Sequence, residues 1–150
     1  MATVELTFSA LPAHVRTARL LATAIARRTG VEESLLDEVR LAVGEACSRA
    51  VEAHRLHCPG EPIRIELCDD SGRFEVIVTD SAPSDELEQG RDYSSIRFDD
   101  PLGQLPGTLM SGFGIAVIVG LADDVEVYPS QKGMRIRMSW PAAAGGLSPV

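Results

Sequence analysis

The stretch 36–54, LDEVRLAVGEACSRAVEAH, constrains this chain more than any other. Leu35, Leu36, Val39, Ala42, Val43, Ala46, Cys47 and Ala50 recur at steps of three and four, so a long helix turns one wide apolar stripe toward a core. Glu38, Glu45 and Arg49 fall at separations of seven and four, along one edge of that helix beside the stripe. Such an edge either lines a cleft or forms a solvated border. In the second case a Glu45–Arg49 pair contributes about 0.2–0.5 kcal/mol.

Size limits what the helix belongs to. A chain of 150 residues, 45% hydrophobic, is long enough for one core without disulfides or metals. One domain is expected over 1–140, with a disordered tail over 141–150, where PAAAGGLSPV has no apolar period. The net charge of −8 and the scattering of the 14 basic residues argue against a nucleic-acid partner, which needs clustered Lys and Arg. No apolar run approaches the roughly 18 residues of a membrane span, and a cytoplasmic location is expected.

Cys47, Cys58 and Cys68 form no CxxC pair and read as reduced structural thiols. His54, His57 and Cys58 resemble a fragment of a metal site. A fourth ligand is missing and Pro59 and Gly60 break the chain there, so the segment reads as a helix C-terminus and no metal ligand is assigned.

From the start of the chain, TVELTFS over 3–9 alternates with the period of a half-buried strand. A first helix opens at Pro12 and stops at Gly30. Beyond Gly60, two alternating strands flank a turn over 69–72, and the second ends in Asp80, at the mouth of an expected cleft. Residues 81–110 carry three prolines and little periodicity, and read as a lid loop. Gly112 and Gly114 then precede an apolar run over 115–121, where glycines at a helix start let backbone N–H groups approach an anion. Two closing strands surround a turn over 130–133. These elements predict an α+β two-layer sandwich, a mostly antiparallel sheet with helices on one face.

The ordered set LAVGEACSRAVEAH, FEVIVTDSAPS, SGFGIAVIVGLADDVEV and GMRIRMSW resembles the GHKL or Bergerat ATP-binding fold, specifically the RsbW/SpoIIAB-type anti-sigma factors with serine kinase activity. The similarity covers nearly the whole chain. In that family the long helix carries Glu-x-x-x-Asn, the Glu as general base and the Asn holding magnesium. Glu45 matches the first and Arg49 replaces the second. A guanidinium has only donors, whereas octahedral Mg²⁺ needs oxygens. Arg49 is left to touch a phosphate or to pair with Glu45. The next box is Asp-x-Gly-x-Gly, whose Asp accepts from the adenine amino group. Asp80 matches, but Ala82 and Ser84 stand at the glycine positions with Pro83 between them, which narrows the backbone geometry. Gly112 and Gly114 keep the GxG of the lid hinge, and Gly133 matches the glycine of the last box, followed by Met134 where Thr is usual. The family's His appears one place late, as His54.

The resemblance thus implies Glu45 as the catalytic residue and Arg49, Asp80, Ala82, Gly112 and Gly114 around ATP, with Arg49 standing where the family's Asn holds magnesium. Two functions follow from it. One is an anti-sigma factor with a degenerate ATP site, sequestering an RNA polymerase sigma factor in a partner-switching module with a STAS-domain anti-anti-sigma factor. The other is an active ATP-dependent serine kinase that phosphorylates the anti-anti-sigma partner, with Glu45 as a base supplying about 10²–10⁴-fold. A pseudokinase scaffold or nucleotide sensor is a third. The resemblance also implies a homodimer through the first strand and first helix.

Overall fold

The computed structural model describes residues 2–83 and 110–143. The elements run β1 (Ala2–Phe8), α1 (Pro12–Thr29), α2 (Glu33–His57), β2 (Ile63–Asp70), β3 (Arg73–Thr79), α3 (Met110–Leu121), β4 (Asp124–Ser130) and β5 (Gly133–Pro141). The strands form one sheet in the order β1-β2-β3-β5-β4, antiparallel at every junction. This is the expected α+β sandwich.

Local chemistry explains the element ends. Pro12 opens α1 at a position whose N–H has no helical partner, and Gly30 closes it in the left-handed region at φ 99°. There the Val31 N–H reaches the Ala26 carbonyl at 3.0 Å and the Gly30 N–H the Arg27 carbonyl at 3.2 Å, satisfying carbonyls the helix leaves open. Ser71 and Gly72 have φ of 49° and 88°, the two positive angles that a two-residue hairpin turn requires between β2 and β3.

Alternation then decides the layers. Cross-strand rows such as Leu67, Val76 and Met138, or Ile65, Val78 and Ile136, point to one face, and all six are at most 2% exposed. Burying each such side chain stabilises the fold by about 1.5–3 kcal/mol. Phe74 and Trp140 face each other on β3 and β5 and stack at 6.3 Å between ring centroids. The α2 stripe from Val39 to Ala50 covers this face, flanked by α1 and α3. On the opposite face, Arg137 of β5 is ion-paired to Glu75, Glu126 and Asp124 from the strands beside it.

Some expectations shift. β1 alternates as anticipated, but it is the sheet edge, so Val4 stays 40% exposed, whereas Phe8, met edge-on by the His14 ring, is buried. Gly112 and Gly114 lie inside α3, which starts at Met110. β5 continues through Pro141, and the N–H groups of Ala142 and Ala143 donate to the Gly72 and Gly30 carbonyls at 2.8 and 3.0 Å, so the chain remains hydrogen-bonded past the boundary expected at 140. Of the expected lid, residues 84–109 lie outside the described residues, as does 144–150 of the expected tail. No helix among the described residues is long and apolar enough to cross a membrane.

Candidate functional site around Asp80

Asp80 leaves the end of β3 exactly where β5 begins, and its backbone and side chain both grip Met134. Its N–H donates to the Met134 carbonyl at 2.9 Å, and its Oδ1 accepts from the Met134 N–H at 3.1 Å and the Ala82 N–H at 3.0 Å. Asp80 is only 6% exposed, so it sits inside the layer junction rather than at an open cleft mouth. The reason is β5: Gly133 has φ 145°, and its bare α-carbon lets the Asp80–Ser81 backbone lie directly on it.

Arg49 approaches from α2. Its Nη1 lies 3.7 Å from Asp80 Oδ2, an ion pair whose side chains are 11% and 4% exposed. Burial pushes the Asp80 carboxyl above its ordinary value, while the Met134 N–H, the Arg49 charge and the Ala82 N–H pull against that rise. The sequence left Arg49 between a phosphate and Glu45; the structure brings it to Asp80.

His54 supplies the third support. It is fully buried, with Nδ1 2.9 Å from the Glu61 carbonyl and Nε2 accepting from the Ser81 N–H at 2.8 Å. A proton on Nδ1 and a lone pair on Nε2 satisfy both contacts. The ring therefore ties the α2 C-terminus to the segment after Asp80, and neither nitrogen faces outward as a metal ligand. Its signal was present in the sequence: it continues the apolar stripe of Cys47 and Ala50 at helical spacing, where a polar side chain needs buried partners.

The remaining expected site residues fall as follows. Glu45 is half-buried on α2, one turn before Arg49. Ala82 is 4% exposed, its N–H committed to Asp80. Gly112 and Gly114 belong to the N-terminal turns of α3, the helix that packs on α2. The donor chemistry at Arg49 does not fit a magnesium ion, because its guanidinium has no acceptor and faces a carboxylate that is already hydrogen-bonded. Among the described residues no group of three or more His, Cys, Asp or Glu side chains is arranged to hold a metal.

Among the described residues three helices pack on an antiparallel sheet, with an acid at the β3 end facing the long helix, and residues 8–140 match the histidine kinase-like ATPase domain, the family to which this chain belongs. Among its relatives is the serine-protein kinase RsbW of Oceanobacillus iheyensis, 30% identical over 138 residues that cover 91% of this chain and 84% of the relative. The serine-protein kinase RsbW of Bacillus subtilis is 29% identical over 142 residues, 91% of this chain and 83% of that one. The mycobacterial sensor histidine kinase MprB shares the fold, with a TM-score of 0.56 at 18% identity over 95% of this chain and 99% of the other.

Proposed function

We propose that this chain is a cytoplasmic anti-sigma regulatory factor that sequesters an RNA polymerase sigma factor and is released by a STAS-domain anti-anti-sigma partner, with a degenerate ATP site. The observation that carries this reading is the buried Arg49–Asp80 ion pair, set in a chain whose relatives are RsbW serine-protein kinases. A cleft whose acid is already neutralised from within has little need of nucleotide to hold its shape. Partner binding is accordingly independent of Mg·ATP. Exposed Val4 on β1, Leu11 at the N-cap of α1 and Leu20 on α1 support a homodimer through the first strand and first helix.

Glu45 favours a second reading. It is half-buried one turn from Arg49 and has the acceptor oxygens of a general base, as an active serine kinase acting on the anti-anti-sigma partner requires. Capture of purified sigma-factor and STAS partners, with Mg·ATP or with chelator, tests the first reading. Labelled phosphate transfer to the STAS partner tests the second.

A further inference from the structure

An ionised carboxylate offers acceptor positions and no donor. At Asp80 the positions on Oδ1 are taken by the Ala82 and Met134 N–H groups, and Oδ2 faces the Arg49 guanidinium. The carboxylate cannot swing away to serve two partners. The Asp80 N–H is bonded to Met134, the Ser81 N–H to His54, and the Asp80 carbonyl rests on Gly133, where even a β-carbon would sit 2.0 Å from it. The Asp80 side chain is 4% exposed, and the Arg49 guanidinium stands 3.7 Å from its Oδ2, the oxygen that accepts neither of the two backbone N–H bonds.

Resting on the nucleotide-cleft reading above, we infer that Arg49 is an internal competitor for amino-bearing purines. Its guanidinium stands 3.7 Å from Oδ2, the oxygen that the nucleotide-cleft reading leaves to accept from an exocyclic amine. The site is therefore closed by occlusion at its base end, in addition to lacking a metal oxygen at its phosphate end. The two defects differ chemically. A missing metal ligand matters only when magnesium and phosphates are present. Occlusion matters for the bare nucleoside, without phosphate or metal, and it discriminates by donor: adenosine offers an amine to Oδ2, whereas inosine offers a carbonyl that opposes it.

The full-length chain is compared as wild type, Arg49→Met, Arg49→Ala and Arg49→Asn by calorimetry, with adenosine and inosine in chelator and with Mg·ADP. Methionine keeps an apolar stem, and Asp80 retains its two backbone N–H bonds in every variant, so at least one folded variant is expected by thermal unfolding. The expected result is a gain in adenosine affinity of about tenfold or more in both Arg49→Met and Arg49→Ala, the size of one hydrogen bond to a charged group, with no gain for inosine. A gain confined to Arg49→Asn with magnesium overturns occlusion and leaves the missing metal ligand as the whole defect. Adenosine affinity equal in wild type and variants, or absent from all, also overturns it. Binding of Mg·ADP by no variant at all marks failure of the nucleotide-cleft reading itself, and partner capture is judged separately. In the wild type, adenosine bound with the Arg49 guanidinium ¹⁵N resonance unshifted contradicts displacement.

Discussion

The α-carbon of Gly133 lies so close beneath the Asp80 carbonyl that an added β-carbon would approach the oxygen to 2.0 Å, with φ at 145°. Space and conformation both demand glycine there. Gly133→Ala is expected to destabilise the chain by about 3 kcal/mol or more, combining a glycine-only backbone region with a backbone clash. Gly72→Ala, at φ 88° with only the Ala142 carbonyl oxygen near at 3.8 Å, loses about 1–2 kcal/mol. Denaturant unfolding of the two variants gives the comparison, and equal losses would show that the Asp80–Gly133 contact carries no weight.

His54 joins the end of α2 to the chain after Asp80 through two buried hydrogen bonds. His54→Ala leaves the Ser81 N–H and Glu61 carbonyl without their partner and opens a cavity, at an expected cost of about 2–5 kcal/mol. Faster amide exchange at Ser81 in the variant, relative to the middle of α2, is the specific readout. Unchanged exchange at Ser81 would refute the tie.

Much of this architecture was legible from periodicity. The α2 stripe, the strand alternation and the hairpin turn are local patterns, and they place the helices and sheet correctly. The exposure of β1 was not, because edge position depends on which strands pair, which alternation does not report. Nor was the Arg49–Asp80 pair. Arg49 has a nearer acid at i−4, and only the folded layers bring α2 and the end of β3 together. His54 was readable as a polar residue on an apolar stripe, although its partners at Glu61 and Ser81 belong to loops without pattern.

Burial raises the Asp80 carboxyl, so its folded form holds a proton more tightly than the unfolded one. The sign follows. The stability this contributes is fully present below the ordinary aspartate value near 3.8 and is lost as pH rises through the raised folded-state value. Relative to Asp80→Asn, the wild type is expected to lose stability as pH rises through that window. A relative gain would mean that Arg49 and the backbone donors outweigh burial.

The thiols report on packing. Burial pushes Cys47 up to about 12, so its thiolate is negligible at about pH 8, whereas Cys58 at the end of α2 is partly exposed. Mass spectrometry after brief alkylation is expected to find Cys58 modified first and Cys47 only after unfolding. Early labelling of Cys47 would contradict the packing of α2 against the core.

The most direct test of the proposed function is the affinity of the nucleotide-free chain for a candidate sigma factor, measured in chelator and again in saturating Mg·ATP, alongside labelled phosphate transfer to a candidate STAS protein. The account predicts affinities within about twofold of each other, a difference under 0.5 kcal/mol, and negligible transfer. Binding that strictly requires Mg·ATP, together with robust transfer abolished by Glu45→Ala, would contradict it and make the kinase reading the correct one.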